Sequence, residues 1–354
     1  MPVELGPYNI QQKMFTHFEK IQKWNKGEKV FPVLVELDPS LSCNHKCRWC
    51  IYNYTKPSIM PRNLLLKVTK EICGLGVNAI MYSGGGEPLM SKDIGEVINI
   101  VKDHGLDQGM HTNGALLTDK LIEKIVDTHT WIRISLDAAT AKTHSLIHGC
   151  PTADFQKIIS NIKKLAKRKE ESGSKITIGA GMVVCRDNAN EIDLAAKSGA
   201  GWGLGYFHFK PEYVFMNLRI NREWWFDDIF PAIEKSGKYS TDDYQVVGDA
   251  KFTEVTKVDE NYGRYYEKCH GSNFIGVIAD SKVWFCTWHI GRKGYDIGDL
   301  NKNTFKEIWL SKRKEELENN LDFRDCAYAC KNHEINKVLF KIKHPETVPH
   351  RNFL

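Results

Sequence analysis

Three cysteines stand within eight residues in the segment CNHKCRWC, as Cys43, Cys47 and Cys50. The segment directly follows an apolar stretch, FPVLVEL, that is typical of a buried strand. Clustered thiols favour a metal, and two kinds of site fit this spacing. A structural zinc ion would take the three thiolates and either His45 or a distant residue as its fourth ligand. A four-iron, four-sulfur cluster would use the three thiolates and leave one iron open.

A second group of cysteines lies near the C-terminus and consists of Cys269, Cys286, Cys326 and Cys330. Two short strand-like runs flank residues 279–281 and predict a hairpin, which would bring the first two of these cysteines to one end. A helical pattern in NTFKEIW leads on to the last two, which stand in CAYAC. Four thiolates can close the coordination of an iron–sulfur cluster, and zinc is the alternative occupant.

Two other segments place ligand-binding potential at the ends of predicted strands. Glycines in SGGGEP let the backbone approach a ligand, and Glu87 in the same segment offers an acceptor to a cationic amine. In WIRISLDAAT the two-residue period places Arg133, Ser135 and Asp137 on one face, opposite an apolar face. Because the apolar face should meet helices, the polar face is predicted to point into a barrel and to need a partner there. That partner is either a bound ligand or a buried hydrogen-bond network.

Strands and helices alternate along the first two thirds of the chain, and the helix at 152–170 shows the clearest apolar periodicity. Six strands separated by five helices imply parallel strands, hence a barrel or part of one, with its site at the carboxyl ends of the strands. The predicted strands are PVLVEL, NAIMYS, DQGMHT, WIRISLD, KITIGAGMVV and GLGYFHF, and the predicted helices lie around residues 61–75, 91–104, 117–127, 152–170 and 189–198.

Composition narrows the class of protein. The 354 residues, 42% of them hydrophobic, are enough to bury a full core, and the net charge of +5 is too small to indicate a nucleic-acid binder. No segment approaches the roughly 20 apolar residues of a membrane span, so a cytoplasmic protein without a membrane partner is predicted. Ten cysteines in such a chain indicate metal binding rather than disulfides.

Taken together, these motifs resemble the radical S-adenosylmethionine (SAM) superfamily. The resemblance rests on CNHKCRWC after the first strand, GGEP after the second and Ser135-x-Asp137 on the fourth, and it covers roughly residues 33–215. It implies an α/β fold with a partial (β/α)6 TIM barrel, and a cluster on Cys43, Cys47 and Cys50 whose open iron is chelated by SAM. One electron then cleaves SAM and releases a 5′-deoxyadenosyl radical that abstracts a hydrogen atom from the substrate.

The resemblance also assigns roles to individual residues. Gly85, Gly86 and Glu87 would hold the methionine amine of SAM, Ser135 its carboxylate or ribose, and Asp137 the ribose hydroxyls. Trp49, the aromatic residue before the last cysteine of the loop, would border the cofactor. His148 departs from the family pattern, because many relatives carry arginine there.

The C-terminal cysteines resemble the SPASM domain or its shortened form, twitch, which holds auxiliary 4Fe–4S clusters. Four cysteines suffice for one fully ligated cluster, and CAYAC spaces its pair by three residues where relatives more often show two. The expected domains are an N-terminal extension (1–32), the partial barrel (33–215), a connecting region (216–260), a small α+β auxiliary-cluster domain (261–340) and a tail (341–354).

The expected activity is dehydrogenation of a sugar-, aminocyclitol- or nucleoside-like alcohol, with the second cluster as electron acceptor and a flavodoxin or ferredoxin as electron donor. About thirty residues precede the first strand, too few for the peptide-recognition domain of many peptide-modifying relatives, so a small polyhydroxylated substrate is favoured. The alternatives are epimerisation of a sugar or peptide with Cys185 or Cys150 as hydrogen-atom donor, dehydration, peptide crosslinking, and a zinc-stabilised binding module without activity. His208 and Lys210 share one face of YFHFKPEY and are candidates for lining the pocket.

Overall fold

A computed structural model describes residues 10–212, 222–248, 264–327 and 330–348. Residues 1–9 of the expected N-terminal extension and residues 349–354 of the expected tail lie outside the described residues. The same is true of residues 216–221 and 249–260 of the expected connecting region.

The strands form a single ten-stranded sheet in the order β10-β9-β8-β1-β2-β3-β4-β5-β6-β7. From β8 through β7 every neighbouring pair in this order is parallel, whereas β9 and β10 are antiparallel additions at one edge. The bounds are β1 Leu34–Asp38, β2 Ala79–Tyr82, β3 Asp107–Thr112, β4 Trp131–Ser135, β5 Thr177–Val184, β6 Tyr206–Pro211, β7 Gln245–Gly248, β8 Ile275–Ala279, β9 Lys282–Trp284 and β10 Asp296–Asp299.

Helices connect the parallel strands and cover one face of the sheet. The predicted α/β class is confirmed, because β1 to β6 with their helices form an open parallel sheet that matches a partial barrel. The helices are α1 Ile10–Phe15, α2 Phe18–Asn25, α3 Arg62–Cys73, α4 Ile94–Asp103, α5 Asp119–Thr128, α6 Ala141–His148, α7 Thr152–Ser172, α8 Ile192–Gly201, α9 Arg222–Trp224 with a π-helical turn at Trp225–Ile229, α10 Phe230–Ser236, α11 Phe305–Trp309, α12 Lys312–Asn319 and α13 Asn332–Lys343.

Strand β4 shows why the sheet forms as it does. Ile132 and Ile134 are fully buried in the core beneath the helices, whereas Arg133 is half-buried and Ser135 is exposed on the opposite face. Helix α5 follows β3 after Thr118, whose hydroxyl accepts the N–H of Leu121 and caps the helix. The alternation of side chains along β4 therefore turns its polar residues into the concave interior of the sheet, which we call the lumen.

The C-terminal part of the chain continues the same sheet. Strand β8 pairs in parallel with β1, and a hairpin joins it to β9. Asp280 and Ser281 at the turn both have positive φ, as a two-residue hairpin of this type requires. The first strand of the barrel is therefore flanked by the segment that carries the second cysteine group. No helix of the described residues is long and apolar enough to cross a bilayer.

Candidate active site

The first cysteine loop leaves the carboxyl end of β1 and is held by the end of α6. Lys46 N–H donates to the carbonyl of His148 at 2.8 Å, and Arg48 N–H donates to that of Ile147 at 3.0 Å. Gly149, with φ of 56°, lies so close that a Cβ there would stand 2.7 Å from the Lys46 carbonyl oxygen. The helix end therefore fixes the loop through backbone contacts that no side chain at position 149 could share.

The three thiols of this loop are accessible to different degrees. Cys43 is exposed, and Cys47 and Cys50 are half-buried. Burial raises the pKa of the Cys43 and Cys50 thiols, and the neighbouring Cys50 raises that of Cys43 further. Three thiols on one loop, with Cys43 exposed, are a donor set that fits a metal cluster with one side open.

The glycine loop after β2 packs flat against the chain that leads into Cys43. A Cβ at Gly86 would collide with the backbone of Leu41 and Ser42, and the N–H of Glu87 donates to the Ser42 carbonyl at 2.9 Å. A Cβ at Gly85 would collide with the Leu41 side chain. The glycines thus bring the two strand-end loops into contact, which places them beside the first cysteines.

Glu87 ties the end of β2 to the end of β3. Its carboxylate accepts the hydroxyl of Thr112 at 2.6 Å, the N–H of Asn113 at 2.8 Å and the N–H of Leu89 at 3.1 Å. Burial raises the pKa of Glu87 to about 7 despite these three donors. The side chain predicted to meet the SAM amine is therefore also a brace between two loops of the site.

Asp137 lies two residues past the end of β4, and its backbone departs from strand geometry. It has a φ of 56°, unusual for a residue with a side chain, and its carboxylate accepts the N–H of Val183 at 2.6 Å. The other carboxylate oxygen lies 3.0 Å from His148 Nε2. Strained backbone at a strand end is typical of functional positions, and here it aims Asp137 toward the first cysteine loop.

Sequence analysis missed a buried chain of polar groups behind this loop. His45 Nε2 lies 3.2 Å from Asp154, and His45 Nδ1 lies 3.2 Å from Nδ1 of His148, which in turn contacts Asp137. His144 is fully buried beside both imidazoles, and burial lowers its pKa to about 3. Since both ring nitrogens of His45 face these partners, His45 is not placed to be a fourth zinc ligand with the three loop thiols.

The other residues predicted near the site are distributed around it. Burial raises the pKa of the Cys47 thiol, and nearby Cys150 raises it further. Cys150 also belongs with His45 and Asp154 to one compact group. Cys185 is buried just beyond the end of β5. Trp49 is half-buried in the cysteine loop.

The second cysteine group converges from distant parts of the C-terminal segment. Cys269 and Cys286 are buried, and Cys326 and Cys330 are half-buried. Burial raises the pKa of Cys286, and each of the other three cysteines raises it further. The side-chain amides of Asn336 and Asn332 on α13 donate to Cys269 Sγ at 3.5 and 3.8 Å. Four clustered thiols with amide donors fit a fully ligated iron–sulfur cluster.

Two tyrosines connect the two cysteine sites. Tyr52, two residues after Cys50, donates its hydroxyl to the carbonyl of Thr287 at 3.1 Å, and Tyr54 donates to the carbonyl of Ile290 at 2.7 Å. Thr287 directly follows Cys286. The loop that carries the first site therefore packs against the loop that carries the second.

The comparison with protein families agrees with this geometry. Residues 38–197 match the model of the radical SAM superfamily, and residues 269–332 match SPASM, an iron–sulfur cluster-binding domain. The chain therefore contains a radical SAM domain followed by a C-terminal SPASM domain. Its cofactors are SAM and iron–sulfur clusters.

Individual relatives match this chain at low sequence identity. The chain is 28% identical over 184 residues, 51% of its own length and 68% of the relative's, to a Methanocaldococcus jannaschii protein named as a candidate glycyl-radical enzyme activating enzyme. It is 27% identical over 171 residues to the dTDP-4-amino-4,6-dideoxy-D-glucose ammonia-lyase of Streptomyces venezuelae, a match that covers 46% of this chain and 35% of that enzyme.

A solved structure extends the likeness over most of the chain. The crystal structure of Streptococcus suis SuiB bound to S-adenosylmethionine aligns with a TM-score of 0.64 at 16% identity. The alignment covers 87% of this chain and 72% of SuiB. At this identity the likeness establishes the fold.

Proposed function

We propose that this radical SAM enzyme oxidises an alcohol carbon of a small polyhydroxylated compound such as a sugar, an aminocyclitol or a nucleoside. The observation that carries the proposal is the second site, where four thiols converge beside the loop that holds the first site. When bound, the cofactors supply a SAM-derived radical that abstracts hydrogen at the first site and an electron acceptor at the second. Oxidation of an alcohol by this route needs both.

The first site divides the work among its residues. Cys43, Cys47 and Cys50 hold the SAM-binding cluster and leave one coordination position open. Gly85 and Gly86 let the backbone approach the methionine end of SAM. Glu87 holds that loop beside the end of β3 through its three hydrogen bonds. These contacts fix the cofactor and exclude water from the reacting atoms.

In this proposal, residues at the end of β4 bind the ribose of SAM. Ser135 is exposed at the end of that strand, and Asp137 is aimed by Val183 and His148. Two hydroxyls of a ribose match the acceptor capacity of one carboxylate.

The second site is proposed to take the electron that the substrate must lose after hydrogen abstraction. A carbinol carbon that has lost one hydrogen atom becomes a carbonyl by releasing one proton and one electron. Cys269, Cys286, Cys326 and Cys330 offer closed coordination, which leaves that site free for electron transfer rather than substrate binding. A flavodoxin or ferredoxin is the proposed electron donor to the first site, whose Cys43 is exposed.

Relatives support a substrate of this kind without defining it. The S. venezuelae enzyme is named for an amino sugar attached to a nucleotide, and 27% identity over 171 residues relates it to this chain. Epimerisation is the second candidate, because Cys185 is buried just beyond β5 and continues its alternation. A thiol in that position would return a hydrogen atom to the substrate.

One experiment separates these outcomes. Anaerobically reconstituted enzyme is incubated with SAM, reductant and candidate sugars, aminocyclitols and nucleosides in deuterated water. Oxidation predicts a product lighter by two hydrogens, whereas epimerisation predicts an isomer that has gained one deuterium. Absence of both products, with SAM still cleaved, would contradict the proposed oxidation and its alternative together.

A further inference from the structure

Basic side chains gather in the lumen beneath the predicted SAM site. His111 on β3 and Arg133 on β4 are register partners, and Arg133 Nη2 lies 3.3 Å from His111 Nε2. Burial lowers the pKa of His111 well below its usual range, and the charges of Arg133 and Lys210 lower it further. Lys210, on β6, therefore lies near the same imidazole.

The floor below this group is closed by two aromatic rings. The Trp131 ring lies where a Cβ of Gly109 would be, and the Tyr206 ring lies where a Cβ of Gly179 would be. Arg133 stands two residues further toward the carboxyl end of β4 than Trp131, so it lies one layer above that floor. A Cβ at Gly181 would stand 3.8 Å from Arg133 Cδ, in ordinary contact. Arg133 therefore extends beside β5 at a position where that strand has a glycine.

The charge of Arg133 is not balanced by a neighbouring acid. Across the described ranges no carboxylate lies within ion-pair distance of Arg133, and its hydrogen-bond partner is the ring of His111. The two carboxylates that β1 turns into the lumen are engaged elsewhere, Glu36 with Lys331 and Asp38 with the N–H of Gly85. A half-buried guanidinium with only a neutral partner favours an anion nearby.

The tautomer of His111 adds a second donor. Because Arg133 donates to Nε2, the neutral ring carries its proton on Nδ1. That Nδ1 is buried and has no hydrogen-bond partner among the described residues. Arg133 and His111 are thus neighbouring side chains in contact, and each carries a donor that no described residue accepts.

We propose that Arg133 and His111 bind an oxyanion of the substrate, namely the phosphate of a phosphorylated polyhydroxylated compound, with Lys210 contributing charge. The proposal rests on the proposed function, because it assigns a substrate class to the same lumen. A guanidinium fork matches two oxygens of a phosphate or a carboxylate. Phosphate, with its greater negative charge, is favoured over carboxylate because both Arg133 and Lys210 lie near the His111 imidazole.

The test is a binding measurement that needs no turnover. Reconstituted enzyme with SAM but without reductant is titrated by calorimetry with glucose 6-phosphate, glucose and acetate. Saturable binding of glucose 6-phosphate, tighter than that of glucose or acetate, is expected. Arg133→Gln should weaken it roughly 10- to 100-fold, the range for a hydrogen-bonded charge, and Arg133→Lys should weaken it less. Arg168→Gln, which removes a half-buried arginine of α7 paired with Asp127, is the matched control and should bind as the parent does.

Several results would overturn the proposal. Equal affinity of the parent and Arg133→Gln would do so, as would tighter binding of acetate than of glucose 6-phosphate, or no saturable binding of any phosphate probe by the parent. Arg133→Lys keeps the charge, so it provides the comparison if Arg133→Gln does not fold. Because no SAM is cleaved, failure of the oxidation proposal appears only in the turnover assay, and the two failures are distinguishable.

Discussion

The two cysteine sites of this protein differ in how much of the chain builds them and in how closed they are. The first takes three thiols from eight residues of one loop, and Cys43 is exposed. The second takes four thiols from residues 269–330, and none of the four is fully exposed. A site that binds and releases a ligand needs an open face through which the ligand can enter from solution. A site that only passes electrons is better closed.

The contacts that hold the two cysteine sites in place also differ. Backbone carbonyls at the end of α6 and the flat glycine loop hold the first site, so its side-chain face is left to a ligand. Side-chain amides of α13 contact the Cys269 sulfur at the second site, and Arg264 donates to the carbonyl of Ala327 next to Cys326 at 2.7 Å. The second site is therefore wrapped by protein, as a permanent cluster would be.

The largest expected effect comes from removing the open site. Replacing Cys43, Cys47 and Cys50 together by alanine should leave about half of the iron and abolish formation of 5′-deoxyadenosine, because the open iron is the electron route to SAM. Iron assay and chromatography of the SAM products measure both. Cys73→Ala is the matched control, since this cysteine lies in the hydrophobic core. SAM cleavage retained by the triple variant would place the catalytic cluster elsewhere.

Removing the closed site should separate the two halves of the reaction. With Cys326 and Cys330 both replaced by alanine, 5′-deoxyadenosine should still form at the first site while little oxidised product appears. The reason is that the substrate would have lost its electron acceptor. Both products are quantified by mass spectrometry in the same incubation. Full yield of oxidised product would show that the second cluster only braces the C-terminus.

Much of this comparison could be predicted from sequence because the determinants are local. The spacing of the first three cysteines, the glycines after β2 and the alternation of β4 each lie within ten residues. Predicted strand WIRISLD corresponds to Trp131–Ser135, and the hairpin predicted around residues 279–281 joins β8 to β9. Local patterns of this kind are set by side-chain period and turn chemistry, which sequence displays directly.

The contacts that sequence analysis missed join residues far apart in the chain. The parallel pairing of β8 with β1 joins strands more than 200 residues apart, and no turn motif in the sequence predicts it. His45 and His148 are 103 residues apart, and Lys331 reaches Glu36 from the other end of the chain. Such pairings depend on the tertiary fold, which a hydrophobic period does not specify.

A third prediction concerns the residues that shape the open site without ligating its cluster. Glu87→Ala should weaken SAM binding by roughly 1–3 kcal/mol, because it leaves the buried donors of Thr112 and Asn113 unpaired. Asp137→Ala should act in the same range, since it frees His148 and the N–H of Val183.

Equilibrium dialysis of SAM without reductant measures these two effects. Glu96→Ala, which removes a carboxylate of α4 that pairs with Arg62, is the control and should not change the affinity. If both variants bound SAM like the parent, the cofactor would have to lie away from the ends of β2 and β4.

The smallest predicted effect concerns the closed site and leaves its iron in place. Asn336 is buried, and its amide donates to Cys269 Sγ at 3.5 Å, a contact that stabilises the more negative, reduced cluster. Asn336→Leu should therefore lower the reduction potential of the second cluster by about 40 mV, the one-electron equivalent of about 1 kcal/mol for one hydrogen bond. The potential is measured by redox titration with electron paramagnetic resonance in the variant that lacks the first three cysteines, so that a single cluster contributes. Asn320→Leu, at the exposed end of α12, is the control. A potential that does not fall in Asn336→Leu would mean that the amide orients the Gly271 backbone, whose N–H it accepts at 2.7 Å, without tuning the cluster.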